Sequence, residues 1–151
     1  MGHEALNLRT SAPHPAAQAG LEEWHRIVTE RDWDQLPALL VDDVTYHNPA
    51  QFEPYRGKDA LVGILRLVFS IFADFDYHRT FGREDGYALE FSARVGEDRL
   101  FGVDLVRFNE AGKMTDLVVM LRPASVVTKL AEEAASPHGS SEVVDLKQNT
   151  G

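Results

Sequence analysis

Cysteine is absent from this chain of 151 residues. A disulfide framework, a thiol nucleophile and a cysteine metal site are therefore excluded. Basic residues are also scarce, since 15 Lys and Arg stand against 24 Asp and Glu and give a formal net charge of −9. Because this charge repels phosphates, we expect no nucleic acid and no anionic membrane surface as a partner. A neutral or cationic small molecule suits the charge better.

Long apolar runs and cofactor-binding motifs are missing as well. The longest apolar stretch, ALVGILRLVFSIF at 60–72, is too short to span a bilayer and contains Arg66, so we interpret it as a buried helix. The first twenty residues lack the basic region and apolar run of a signal peptide, which makes the cytoplasm the expected location. No GxGxxG, P-loop or GxSxG motif is present, and His78 and Glu90 lack metal-ligand spacing, so we expect neither a cofactor nor a metal.

The distribution of residue types predicts one folded domain between two tails. Residues 1–19 are rich in Ala, Pro, Ser and Gly without periodicity, and residues 136–151 are poor in residues that form a core. We therefore predict a mobile N-terminal tail over 1–19, a single domain over 20–135 and a mobile C-terminal tail over 136–151.

Within that domain, helical patterns come first and strand patterns follow. Leu21, Trp24, Ile27 and Val28 share one face of a first helix. A short second helix and a third helix follow at about 34–40 and 58–73, and the strand between them should stop at Asn48, before a proline. Four further strands are predicted, each separated by turn residues: 75–84, 86–95, 99–108 and 113–123. This order predicts an α+β domain.

The stretches DDVTYHNP and RFNEAGKMTDLVVMLRP, in this order and spacing, resemble the nuclear transport factor 2 superfamily. Within it, residues 20–125 look most like the SnoaL-like polyketide cyclase and ketosteroid isomerase branches. The resemblance implies a cone-shaped, cystatin-like fold, in which three N-terminal helices pack in a curved, mostly antiparallel sheet around a pocket.

The same resemblance assigns possible roles to three residues. Asn48 stands where the isomerase branch has its catalytic Asp, Trp24 stands where it has a Tyr, and Asp104 matches the second Asp of that site. An amide has no usable pKa and cannot take a proton. The comparison therefore argues against ketosteroid isomerase activity itself while keeping the pocket.

Asp104 is the sharpest candidate for catalysis, because it lies between Val103 and Leu105, where a carboxylate is costly to bury. If it faces the pocket, desolvation should raise its pKa and let it act as an acid or base. The structural alternative is a buried Asp bonded to a neighbouring strand or to the indole of Trp24. The predicted ligand wall consists of Trp24, Tyr46, Asn48, Phe72, Val119 and Leu121. The alternative for these residues is ordinary packing, or for Asn48 an Asx turn.

Three interpretations of function stay open at this point. The first is a SnoaL-like small-molecule pocket protein, acting as a cofactor-independent isomerase, cyclase or lyase on a hydrophobic carbonyl or polycyclic substrate. The second is a non-catalytic ligand-binding or dimerisation module of the same fold. The third is an epoxide hydrolase, which would need Arg94 and Asp116 near Asp104.

The alternation in RLFGVDLVRF also predicts a partner. Leu100, Gly102, Asp104 and Val106 would face the helices, whereas Phe101, Val103 and Leu105 would face outward and need a cover. We therefore expect a homodimer formed through the outer face of the sheet.

Overall fold

The computed structural model describes residues 11–136. The helices within this range are α1 (Pro15–Glu30), α2 (Leu36–Leu39), α3 (Lys58–Ile71) and α4 (Ala124–Ala135), and a 3-10 turn, Trp33–Gln35, precedes α2. The same residues form six strands: β1 (Leu40–His47), β2 (Tyr55–Arg56), β3 (Phe72–Arg83), β4 (Gly86–Val95), β5 (Asp98–Phe108) and β6 (Met114–Arg122).

The six strands form one open, curved sheet in the order β2-β1-β6-β5-β4-β3. Only β1 and β6 pair in parallel, and every other pair in this part of the chain is antiparallel. Parallel pairing fits their connection, because α3 and the β3–β5 meander lie between them in sequence. The predicted α+β class, with three N-terminal helices and a mostly antiparallel sheet, is confirmed.

The first helix begins earlier than the predicted domain boundary at residue 20. Its N-cap is His14, whose Nδ1 accepts a hydrogen bond from the N–H of Ala17 at 3.0 Å, and Pro15 occupies the first turn. Ala17 is completely buried. Residues 15–19 therefore belong to α1 rather than to a tail, whereas the predicted tails at 1–10 and 137–151 lie outside the described residues.

Two clusters of buried side chains hold the helices on the sheet. The larger one packs α1, α2 and α3 against β1, β5 and β6, with Trp24, Ile27 and Phe108 at its centre. The smaller one joins β4 and β5 to α4 through Phe91, Leu100, Val126 and Leu130. Each large apolar side chain contributes about 1.5–3 kcal/mol when fully buried. Together the clusters position α1 and α4 on the same side of the sheet.

The predicted facing of β5 is confirmed. Leu100, Gly102, Asp104 and Val106 are buried, and the residues between them are more exposed. Packing explains the glycine at position 102, because a Cβ there would lie 2.4 Å from Cζ of Phe91. On the outer face, exposed Phe101, Leu105 and Met120 leave an apolar surface on two neighbouring strands.

We predict that this outer surface pairs two copies of the chain. A single charge at its centre would be desolvated in the dimer, so Leu105→Glu or Met120→Glu should shift a dimer of twice 16.9 kDa to monomer at micromolar concentration. Light scattering coupled to gel filtration measures this. Phe52→Glu is the matched control, since Phe52 is 91% exposed in the loop between β1 and β2. A wild-type monomer would contradict the prediction.

Candidate functional site

A cavity of about 730 Å³ lies between the inner face of the sheet and α1, α3 and α4. All seven residues predicted from the sequence lie on its wall: Trp24, Tyr46, Asn48, Phe72, Asp104, Val119 and Leu121. Their position is thus observed, and their roles in binding or catalysis stay predictions.

Separate elements bring these side chains together. Trp24 comes from the buried face of α1, and Tyr46 comes from the end of β1. Asp104 of β5 and Val119 of β6 are direct cross-strand partners. Since β6 also pairs with β1 near Tyr46, the ladder β1-β6-β5 holds Tyr46 and Asp104 on one wall.

Asp104 is the only buried charged side chain in the described part of the chain, with 6% exposure. Burial raises the pKa of its carboxyl to about 7, and a hydrogen bond from Tyr77 opposes that rise. The Tyr77 hydroxyl donates to Oδ2 of Asp104 at 2.9 Å. A carboxyl with a pKa near neutrality can both give and take a proton.

Trp24 is linked to this carboxyl through Tyr77. Its Nε1–H donates to the hydroxyl of Tyr77 at 3.1 Å. The sequence allows a direct bond between the indole and Asp104, whereas in the structure the two side chains are linked through the hydroxyl of Tyr77. Burial, followed by the charge of Asp104, raises the pKa of Tyr77 well above its usual value, so the phenol stays protonated.

Tyr46 places a second phenol beside Asp104. Burial, then the charges of Asp104 and Tyr55, raise the pKa of Tyr46 above its usual range. Its ring stacks on that of Tyr55 with centroids 6.3 Å apart. The cavity wall near Asp104 therefore carries a neutral hydroxyl that can donate a hydrogen bond.

Asn48 lies at the mouth of the cavity and also shapes the chain there. Its Oδ1 accepts hydrogen bonds from the backbone N–H groups of Ala50 and Gln51, at 2.8 and 3.0 Å. This is the Asx turn that the sequence left open. The oxygen of the amide is thus engaged, and only its N–H₂ group can serve a ligand.

Several wall residues escaped the sequence analysis. Aromatic side chains from α3, β3 and β4 line one side of the cavity. The ring centroid of Phe75 lies 4.8 Å from that of Phe69 and 5.0 Å from that of Phe91. Leu130 and Ala131 of α4 also line the cavity. The alternation of Phe75 and Tyr77 in FDYHRTF was a signal that both face inward. The stretch ASVVTKLAEEAA predicts the helix α4 itself, but not that this helix lines the cavity.

The epoxide hydrolase arrangement is contradicted. Arg94 binds Asp74 through Nε at 2.7 Å, and Asp116 lies beside Arg107, on the opposite side of the sheet from Asp104. No arginine of residues 11–136 lines the cavity. His78 and Glu90 bind Ser92 and Arg79, respectively. The described residues contain no group of three side chains suited to a metal ion.

Comparison with known proteins decides the family. The model of the SnoaL-like domain matches residues 21–117. The chain belongs to the SnoaL-like domain family. Among curated proteins, none matches it.

Solved structures agree with this assignment. A steroid delta-isomerase from Pseudomonas aeruginosa is 40% identical, with a TM-score of 0.78 over 82% of this chain and 92% of that one. A bacterial protein with a cystatin-like fold from Silicibacter pomeroyi is 34% identical, with a TM-score of 0.70 over 80% and 82% of the two chains. A SnoaL-like polyketide cyclase from Shewanella denitrificans, at 16% identity and a TM-score of 0.61 over 79% and 99%, shows the fold alone.

The resemblance inferred from DDVTYHNP and the final strands is therefore confirmed, together with the cystatin-like fold. In the described part of this SnoaL-like chain, no helix is long and apolar enough to cross a membrane.

We predict that Asp104 makes stability depend on pH. In the unfolded chain the pKa of this carboxyl is 3.8, whereas in the folded protein burial raises its pKa to about 7. The folded state thus binds more protons between these values, and stability falls as the pH rises through them. Compared with Asp104→Asn, the wild type should lose roughly 2.5 kcal/mol between pH 5 and 8.

Urea unfolding of both proteins at the two pH values measures this difference. Asp116→Asn makes the same chemical change on the outer face of the sheet and should keep the wild-type pH dependence. Parallel pH curves for the wild type and Asp104→Asn would show that the carboxyl titrates normally in the folded protein.

Proposed function

We propose that the protein binds a neutral, hydrophobic, carbonyl-bearing molecule in this cavity and transfers a proton on it, as an isomerase or cyclase that uses no cofactor. Asp104 acts as the acid or base. The observation that carries the proposal is one carboxyl, with a pKa raised to about 7, on the wall of an otherwise mostly apolar cavity.

The lining also selects the charge of the ligand. Its ionisable carboxyls are Asp104 and Asp59, and no Lys, Arg or His among residues 11–136 faces the cavity. An anionic ligand would find no charged partner there and would meet the overall charge of −9. A neutral polycyclic ketone can bury its rings against the aromatic side and present its oxygen to Asp104 or Tyr46.

The relative from Pseudomonas aeruginosa supplies a first probe, since it is described as a steroid delta-isomerase. A 3-oxosteroid and smaller polycyclic ketones can be tested for exchange of their α-hydrogens in deuterated water. This exchange reports proton transfer even where the final product is unknown.

We expect Asp104→Asn to slow such exchange by about 10²-fold or more, as loss of a general acid or base does. Ligand affinity should fall by no more than about tenfold, because one hydrogen bond at most is lost. Mass spectrometry of the ketone and fluorescence titration measure the two quantities. Asp116→Asn is the control for a surface carboxyl. Wild-type exchange by Asp104→Asn would exclude Asp104 as the acid or base.

One observation favours a second candidate, a binding module that does no chemistry. The residue at the mouth, Asn48, is an amide whose oxygen already caps a turn. If wild-type protein binds the ketones but exchanges none of them, the binding function is the better description.

Asn48→Asp tests whether a carboxylate at position 48 reaches the reacting carbon of the ligand. A carboxylate can accept the same two backbone N–H bonds, so the turn should persist, and those bonds will keep the new carboxylate ionised. We expect this variant to gain slow isomerisation of a Δ5-3-oxosteroid, followed by ultraviolet absorbance. Asn48→Ser, which keeps a turn-forming oxygen without a base, is its control. Equal rates in both variants would show that position 48 does not reach the reacting carbon.

A further inference from the structure

The hydrogen-bond chain behind Asp104 has a direction that atom types determine. The indole Nε1–H of Trp24 can only donate, and its partner is the hydroxyl of Tyr77 at 3.1 Å. Within residues 11–136, the one acceptor that the Tyr77 hydroxyl reaches is Oδ2 of Asp104, at 2.9 Å. If Asp104 donated from Oδ2 instead, the Tyr77 hydrogen would have no acceptor. The direction is therefore Trp24 to Tyr77 to Asp104.

This direction leaves Oδ1 of Asp104 for the cavity. No hydrogen bond to Oδ1 forms among the described residues, and that part of the chain contains no fully buried polar side-chain atom without a partner. Asp104 lines the cavity, whereas Tyr77 is not part of the lining. The two oxygens of one carboxyl are thus divided between the protein and the cavity.

We propose that Tyr77 and Trp24 are positioning residues that reserve Oδ2 of Asp104 as an acceptor and so place the exchangeable proton of the acid on Oδ1, facing the ligand. This inference rests on the proposed function for its chemical use. A neutral Asp104 donates from Oδ1 to a ligand carbonyl, and an ionised Asp104 takes a proton at the same atom. Neither step requires the side chain to rotate.

Few ionisable groups surround the hydrogen-bonded side chains of Trp24, Tyr77 and Asp104. From β1, Tyr46 approaches Asp104, and from the end of α1, the Arg31 charge lowers the pKa of Tyr77. The ring of His25 on α1 lies 5.8 Å from that of Tyr77. On the strands that flank Asp104, its direct partners are apolar, Leu89 and Val119. The Tyr77 hydroxyl is thus the one donor that holds the carboxyl among the described residues.

The test is a titration of Asp104 by NMR of ¹³Cγ-labelled aspartate, which needs no substrate. Tyr77→Phe removes the donor to Oδ2 with little change of shape, and the pKa of Asp104 should rise by about one unit or more. Trp24→Phe should raise it by less, because Tyr77 still donates. Tyr87→Phe, on the neighbouring strand, is the matched control and should leave the titration unchanged.

A second variant covers the case in which Tyr77→Phe does not fold. Site-specific 3-fluorotyrosine at position 77 keeps the packing and makes the hydroxyl a stronger donor, so the pKa of Asp104 should fall. An Asp104 pKa that moves in neither Tyr77 variant overturns the inference.

Failure of the positioning role and failure of the proposed function have different signatures. If Asp104→Asn keeps wild-type exchange but Tyr77→Phe shifts the titration, the positioning role stands and the catalytic proposal falls. If exchange depends on Asp104 but Tyr77→Phe leaves the pKa of Asp104 unchanged, only the positioning role is wrong. With both intact, the pH midpoint of exchange should rise in Tyr77→Phe together with the NMR pKa.

Discussion

Burial of one carboxyl group is the constraint on which this site depends. A carboxylate removed from water without compensation costs several kcal/mol, so the surrounding fold must either hold it neutral or surround it with donors. Here Asp104 accepts a hydrogen bond from Tyr77 on one oxygen and lies on the wall of the cavity. The result is a group whose proton is held weakly at neutral pH, which suits transfer better than permanent charge or permanent neutrality.

The sheet and helices keep that carboxyl apart from bulk water while leaving room for a ligand. Two clusters anchor the helices, one around Trp24 and one around Phe91 and Leu130, and the cavity lies between them. An apolar ligand in the cavity would bury part of this lining and add contacts to the folded state, which links ligand binding directly to stability.

How far the sequence predicts this arrangement depends on how local each signal is. The period of two in β5 predicts the facing of Asp104, and Pro49 predicts where β1 must end, because both rules act within a few residues. The start of α1 was missed since its N-cap is a histidine in an Ala-rich segment without apolar periodicity. The alternation in FDYHRTF indicates that Tyr77 faces inward, but not which residue it meets, because β3 has register shifts on both sides of Asp76 and Tyr77. Its contact with Asp104 also crosses β4, and such a contact follows only from the complete sheet order.

A crystal structure with a neutral polycyclic ketone bound would test the account most directly. We predict a ketone oxygen within about 3 Å of Oδ1 of Asp104, with Oδ2 still bonded to Tyr77 and the rings against Phe75 and Phe91. A ketone seated outside the cavity, or with its oxygen turned to Asn48 at the mouth and away from Asp104, would contradict it.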